Sequence, residues 1–420
     1  MMISITRRFS MLGVAAAASI ALLSAQPGRA ADSDNVIRFG ASLALTGGLA
    51  SEGTLVKDGY DWMVREINTH GGLTVGGKKY TVEITYYDDG SDAPTAVRLT
   101  KKLLDEDHVN FLLGPYGSGA TNATSAVAEQ YKIPMVDAHG SANTIYTKGN
   151  KFIFGVLNPA DQYATPMLQL AREQKDAPKT IALVREDTLF ANIGIEAAAK
   201  QAEALGMKVV YNEKYPSGTK DFSTIIASIK AQKPDMVLAG GYQGDMIVIT
   251  RQIREGGLGV KMLGFLLGPT VRGYVSALGP LSEGTLEPIQ WNANMGWHDQ
   301  LFNLSSEQFA TQFEREYHYV PDYHAPQSAA ALEVFYNAIR KANSLDPQRV
   351  RDTIASSAFE SFYGPIKFNE QGINVGKSTA CIQIQHVSNK GSMEEQYRPV
   401  PVYPAKLAGK SKAIYPLPAR

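Results

Sequence analysis

Along the chain, short apolar runs rich in Val, Ile, Leu, Phe and Tyr alternate with segments whose apolar residues recur every three or four positions. The first pattern predicts strands and the second amphipathic helices. Strands are expected over 36–45, 80–88, 109–115 and 134–139, with helices over 53–68, 94–105 and 120–131 between them. A second series opens with a helix over 162–173. It continues with strands over 180–186, 208–215, 235–241 and 261–267, separated by helices over 193–204, 221–231 and 245–255. Strands alternating with helices of 10–15 residues predict parallel sheets covered on both faces. Two series predict two sheets, hence an α/β chain of two doubly wound lobes. After Gly284 the pattern loosens: 291–297 reads as loop, helices follow over 306–317, 326–341 and 347–356, and the last sixty residues read as short strands and turns.

Punctuation between the elements supports this reading. His70-Gly71-Gly72 ends the first helix with residues that tolerate left-handed backbone. Asp88-Asp89-Gly90-Ser91-Asp92 looks like half a calcium loop, but the glutamate required at the twelfth position is missing. Asp92, two residues before Pro94, reads better as a helix start.

Composition narrows the function. The 420 residues carry 41 Lys+Arg against 41 Asp+Glu, are 44% hydrophobic and include one cysteine, Cys381. Zero net charge leaves no global attraction for nucleic acid or an anionic membrane, and one cysteine excludes an intrachain disulfide and a Cys-clustered zinc site. At the N-terminus Arg7 and Arg8 precede an apolar run from Met11 to Leu23, and small residues end at Gly28-Arg29-Ala30. This is the layout of a secretory signal, expected to be cleaved after Ala30; the apolar run is too short to span a bilayer. An interfacial anchoring helix is the alternative. Thr6-Arg7-Arg8 also resembles a twin-arginine signal, but Ser10 stands where that pattern wants a bulky apolar residue, so the export route stays open. No cysteine lies near the cleavage site to carry a lipid, and no later stretch is apolar for about 18 residues, so an exported protein of the periplasm is expected.

Known catalytic signatures are absent. There is no H-E-x-x-H, C-x-x-C, Walker loop or G-x-S-x-G, so neither a metal nor a cofactor is expected. Gly117-Ser118-Gly119 follows a strand and opens a helix, a near miss of the dinucleotide fingerprint, with Asn122 at the third glycine and Asp137 as the downstream acid. His139-Gly140-Ser141 offers a histidine and a serine, but adjacent residues rarely present a base and a nucleophile to each other. Geometry gives a better account of both segments. Ligands of open α/β sheets sit beyond the carboxyl ends of strands, where helix N-termini aim unpaired N–H groups. Ser118 and Gly140-Ser141-Ala142 occupy that position and could hold a small carboxylate; ordinary helix capping is the plain alternative and is compatible with it.

The run from Phe39 to Ala50, then Asp58-Gly59, Glu66-Ile67-Asn68, Gly71-Gly72, Tyr87-Asp88-Asp89, Leu113-Gly114-Pro115, Ser118 and Ile133-Pro134 follow one another at fixed intervals. They continue with Lys220-Asp221-Phe222, Ala239-Gly240-Gly241-Tyr242, Glu283-Gly284 and the stretch from Gly364 to Asn369. In this order the chain resembles the periplasmic solute-binding proteins of branched-chain amino-acid ABC transporters, over almost its whole mature length. The resemblance implies a type I periplasmic binding fold: two lobes joined by three crossover segments, closing on a solute and delivering it to a membrane permease, without enzymatic activity. Crossovers are then expected at 155–159, 286–291 and 376–380. The implied organisation is a signal peptide over 1–30, lobe 1 over 31–157 and 289–378, lobe 2 over 158–288 and 379–406, and a tail over 407–420. A monomer is expected. A ligand-sensing receptor module of the same fold is the alternative function, and an enzyme acting through His139 and Ser141 is a second rival.

Carried over by position, the family's carboxylate-binding serine falls on Ser118 and its next contact segment on His139, Gly140 and Ser141. The lobe-two aromatics fall on Phe190 and Tyr242, for which packing between the lobes is the plain alternative. Amino-acid binders place an acid at the end of the strand that here reads Phe265-Leu266-Leu267-Gly268-Pro269-Thr270, where it pairs with the ligand ammonium. Leu267 or Thr270 takes that place, and neither carries charge. Asp245 and Glu186 are the substitutes to consider. The expected ligand is therefore a carboxylate with an apolar or aromatic body, without an α-ammonium, walled by Tyr116, Phe190, Tyr242 and Trp291. An amino acid stays open if the acid has moved.

Overall fold

The computed structural model describes residues 35–418; the expected signal segment lies outside them. The first sheet is assembled from β1 (Val36–Leu43), β2 (Leu73–Val75), β3 (Lys78–Asp88), β4 (Phe111–Leu113), β5 (Met135–Asp137) and β6 (Ile153–Gly155), in the order β2-β3-β1-β4-β5-β6. Between its strands run α1 (Ala50–Thr69), α2 (Ala93–Asp105) and α3 (Ser118–Tyr131). All pairs are parallel except the short hairpin β2–β3. Alternation decides the layers: Ile37, Phe39, Ala41 and Leu43 face the side of α1, whereas Gly40 lies against Leu103 of α2 on the other side. Asp92 caps α2 by accepting from Thr95 N at 2.9 Å, as expected from its place before Pro94. Asp88, the first acid of the half-loop, is occupied by the N–H groups of Leu45, Thr46 and Gly90.

The second lobe continues with α4 (Thr165–Arg172), β7 (Thr180–Glu186), α5 (Leu189–Ala204), β8 (Lys208–Tyr215), α6 (Ser223–Gln232), β9 (Met236–Gly240), α7 (Gln243–Glu255), β10 (Met262–Phe265), α8 (Tyr274–Leu278) and β11 (Thr285–Ile289). In β7, Ile181 and Leu183 pack toward α4 and α5 while Ala182 and Val184 pack toward α6 and α7. Burial on both faces is why the strand reads as a continuous apolar run rather than an alternating one. The chain then returns to the first lobe with α9 (Ser306–Tyr317), α10 (His324–Ala342), α11 (Pro347–Ala355) and the small hairpin β12 (Ala358–Phe359) and β13 (Ile366–Lys367). It ends in the second with β14 (Ala380–His386), α12 (Met393–Gln396), β15 (Tyr397–Tyr403) and α13 (Ala405–Ala408). The second sheet has the order β15-β14-β11-β10-β9-β7-β8, and β14 and β15 are antiparallel additions to its edge. Both sheets are therefore mixed, where alternation alone predicts parallel ones.

Helix α10 is buried over nearly its whole length, which explains its alanines. Gly59 of α1 is required by it: a Cβ there would lie 2.5 Å from the Ala325 carbonyl. The segment expected as a tail is docked instead. Gln383 and Gln385 of β14 donate to the carbonyls of Ile414 and Lys412, and Leu417 is buried in the second lobe's core. Apolar Leu417 covers Gly284, and the polar β14 side chains satisfy the tail backbone, so the segment has no reason to stay in solvent.

Three segments cross between the sheets, after β6, after β11 and before β14, and they are bonded to one another. Asn158 N donates to Gln290 Oε1 (2.6 Å), Asn158 Nδ2 to the Lys377 carbonyl (2.8 Å) and Lys377 Nζ to the Gln290 carbonyl (2.8 Å).

Candidate functional site

In each sheet the strand order reverses direction beside the first strand, β1 in one and β7 in the other. The crevice beyond the carboxyl ends of strands at such a switch point is where open α/β sheets hold ligands. Here the two crevices face each other across a narrow cavity of about 40 Å³.

On the first lobe, β4 is followed by the turn that carries Tyr116 and Gly117. Gly117 has φ +85° and precedes α3 without a side-chain cap, a conformation that glycine adopts at little cost. The main-chain N–H of Ser118 is directed to the Tyr242 hydroxyl, which crosses from the other lobe. Ser118 Oγ accepts from Ala142 N at 3.1 Å and is buried, tying the start of α3 to the loop after β5. That loop is shaped by Asp137, whose carboxylate accepts from His139 N (3.2 Å), Gly140 N (2.9 Å) and the Tyr146 hydroxyl (2.6 Å). Burial raises the Asp137 carboxyl to about 6, and these donors oppose the rise. The downstream acid of the near-miss dinucleotide fingerprint is thus occupied within the loop. His139 shares a 2.8 Å hydrogen bond from Nε2 to Ser328 Oγ, while its buried Nδ1 has no partner among the described residues. Burial, reinforced by nearby His324, holds its pKa well below the ordinary value, so the ring is neutral at pH 7. The Ser141 hydroxyl faces Tyr163 instead of His139, which leaves the pair no nucleophile–base geometry.

On the second lobe, Phe190 stands in the first turn of α5 and Tyr242 at the N-cap of α7. Ring centroids run from Tyr163 to Phe190 (5.7 Å), Phe190 to Tyr242 (5.7 Å) and Tyr242 to Tyr116 (5.8 Å), and the Tyr116 hydroxyl meets that of Tyr323 at 3.3 Å. Five aromatic side chains, Tyr116, Tyr163, Phe190, Tyr242 and Tyr323, therefore wall the cavity. His139, Ser141 and Leu267 also line it, whereas Ser118 and Gly140 do not. Trp291 is buried in the first lobe and donates to the Phe362 carbonyl. No lysine or arginine is among the described lining residues.

Sequence reading missed Glu287. It comes from β11, lines the cavity beside Leu267 and Thr270, and accepts from Gly268 N at 3.2 Å and Thr270 N at 2.5 Å. Burial pushes its carboxyl up to about 8, with the Thr270 and Gly268 donors opposing, so it is mostly protonated at pH 7. An acid within the apolar run 285–289 was the available signal, since a buried carboxyl needs a reason. Glu186 and Asp245, the substitutes considered from sequence, lie elsewhere: Glu186 accepts from Tyr242 N at 3.1 Å, and neither lines the cavity.

Further contacts close the lobes over this space. The buried Glu52 carboxylate of α1 faces Gln243 N at the start of α7, and Arg272 N donates to Asp322 Oδ2 at 3.1 Å. A match to the periplasmic binding protein family runs over residues 36–392. The chain belongs to that family. Similar to this periplasmic binding protein are the leucine-, isoleucine-, valine-, threonine- and alanine-binding protein of Pseudomonas aeruginosa, 25% identical over 88% of this chain and 92% of its own, and Leu/Ile/Val-binding protein homolog 1 of Brucella melitensis, 29% identical over 87% and 93%. Among solved structures, a leucine-binding protein of Thermotoga maritima superposes with a TM-score of 0.75 at 21% identity, covering 84% of this chain and 96% of the other. A solute-binding protein of an ABC transporter from R. palustris in complex with benzoate gives 0.74 at 20%, over 89% and 99%. These structures share the fold, two α/β lobes. Family and relatives are solute-binding proteins, not enzymes. No group of metal-ligating side chains and no helix long and apolar enough to cross a membrane occurs among the described residues.

Proposed function

We propose that this periplasmic binding protein captures a small solute with one carboxylate and a planar aromatic or apolar body, and delivers it as an exported monomer to the permease of an ABC importer. The single observation that carries the ligand class is the aromatic wall combined with the absence of a cationic side chain and a Glu287 carboxyl that is neutral at pH 7. In this reading the body lies among Tyr116, Tyr163, Phe190 and Tyr242, where rings stack favourably at such spacings. The carboxylate lies against Ser141 and the unpaired Nδ1 of His139, and Glu287 meets the far end of the solute. Benzoate, named for one structural neighbour, is a solute of this class, whereas the amino acids named for a relative carry an ammonium besides. Lobe 1 over 31–157 and 289–378 and lobe 2 over 158–288 and 379–406 close by bending at the crossovers, and the solute stabilises the closed state because only there does it touch both walls.

A second reading is favoured by Glu287 itself: an ammonium would draw off its proton and pair with it, making the solute an amino acid. Stripped, refolded protein in a thermal-shift panel of aromatic acids, keto acids and amino acids separates the two. A solute at about 100 times its Kd adds about 2.7 kcal/mol of stability. Hits among aromatic or keto acids are expected; hits confined to leucine, isoleucine and valine would replace the first reading by the second.

A further inference from the structure

Gln290 holds a position that no other side chain of the cavity shares. It lines the cavity, and it stands in the crossover after β11, where its atoms bond to both other crossovers. Its Oε1 accepts from Asn158 N at 2.6 Å, in the crossover after β6, and from the Tyr363 hydroxyl at 3.2 Å. Its main-chain carbonyl accepts from Lys377 Nζ at 2.8 Å, in the crossover before β14. Its Nε2 donates at 2.5 Å to the hydroxyl of Tyr163, an aromatic wall of the cavity. The single Tyr363 proton is shared between Gln290 Oε1 and the nearer Gln327 Oε1 at 2.9 Å, and Gln327 also lines the cavity and reaches the Ala138 carbonyl beside His139.

A hinge that bends at these segments changes the backbone angles on either side of residues 158, 290 and 377. Gln290 is 6% exposed, so in the closed arrangement its side-chain bonds are shielded from water, and opening gives up those bonds. The cavity end of the same amide rests on Tyr163, which shifts with whatever the aromatic wall holds. We infer that Gln290 is a positioning residue that couples occupancy of the cavity to lobe closure, by holding the three crossovers in the closed arrangement through a bond network that the Tyr163 wall completes. The coupling rests on the proposed solute site; the hold on the hinge does not.

The test places a fluorophore pair on Lys101→Cys and Lys200→Cys, exposed positions on α2 and α5 of opposite lobes; the native Cys381 is buried and does not compete for label. In protein without solute, Gln290→Met keeps the volume and removes both polar atoms, and the closed fraction is expected to fall about fivefold, the weight of one or two buried hydrogen bonds. Tyr163→Phe, a milder change that keeps the fold if the first does not, is expected to act in the same direction and non-additively with Gln290→Met, as neighbours in one network do. With a solute from the panel, Gln290→Met is expected to weaken affinity by the same factor as the closed fraction. An unchanged closed fraction in both variants overturns the inference, whether or not affinity falls, since Gln290 is then an ordinary wall contact. If wild type binds nothing in the panel, the proposed function fails while the closed fraction without solute still decides the hinge role.

Discussion

The pH dependence of solute affinity follows from one carboxyl and separates the two ligand classes by sign. Glu287 is 2% exposed and its carboxyl stands at about 8, so at pH 7, one unit below, about nine molecules in ten carry the proton. An aromatic monocarboxylate is already ionised above pH 5 and binds opposite a neutral group. As pH rises through 8 Glu287 ionises, and two like charges separated by a ring, roughly 6–8 Å apart at an effective dielectric of about 20, repel by about 2–3 kcal/mol. The bound solute therefore raises the Glu287 pKa further, and binding takes up a proton above pH 8. Affinity is expected to be flat from pH 6 to 7 and then to fall about tenfold per unit from pH 8 upward, until a loss of roughly 30- to 100-fold is reached. An ammonium-bearing solute does the opposite: it lowers the Glu287 pKa, releases a proton and binds more tightly as pH rises from 6 to 8. Calorimetry with benzoate and with leucine at pH 6, 7, 8 and 9, in two buffers of different ionisation enthalpy, reads both affinity and proton count. Glu287→Gln is expected to flatten the benzoate profile and leave its pH 7 affinity within about threefold, because a neutral group replaces a neutral group. Proton release on binding, with a hundredfold loss in Glu287→Gln, refutes the reasoning and places an ammonium at that carboxyl.

Other predictions concern the framework of the site. Ser118→Ala is expected to lower folding stability by about 1–3 kcal/mol in denaturant titrations, because the buried Ala142 N–H loses its acceptor, with affinity less affected than stability. Gly117→Ala meets both a φ of +85° and the Tyr242 hydroxyl 3.0 Å from the new Cβ, so a loss of at least about 1 kcal/mol and weaker solute binding are expected; unchanged values would mean that this turn relaxes freely. Free of solute, the native protein is expected to lose stability as pH rises from about 4.5 toward 8, since the unfolded Glu287 ionises before the folded one does. In Glu287→Gln that slope is expected to shrink in denaturation curves collected at pH 5 and 8.

Strand and helix order was legible along most of the chain because each element is a local periodic pattern: β7 and β8 coincide with their expected ranges, and α9 with its own. The N-cap role of Asp92 and the left-handed Gly71 and Gly72 were legible for the same reason. The antiparallel β14 and β15 were not resolved into edge strands of the second sheet, since pairing across more than ninety residues, as between Leu286 and Gln383, leaves no local trace.

By itself the sequence determined two series of α/β units, the family and the aromatic residues at strand ends, because these depend on residue type and spacing. Tertiary structure decided which polar groups remain for a solute. Ser118 and Gly140 stand at the right strand ends, yet packing commits Ser118 Oγ to Ala142 and Gly140 N to Asp137. Glu287 and Gln290, unremarked in a stretch where the pattern loosens, are brought to the cavity by β11 and the crossover that follows it. A hydrogen-bonding group near a ligand is available only if no neighbour has already paired with it, and that neighbour is chosen by the fold rather than by adjacency in the chain.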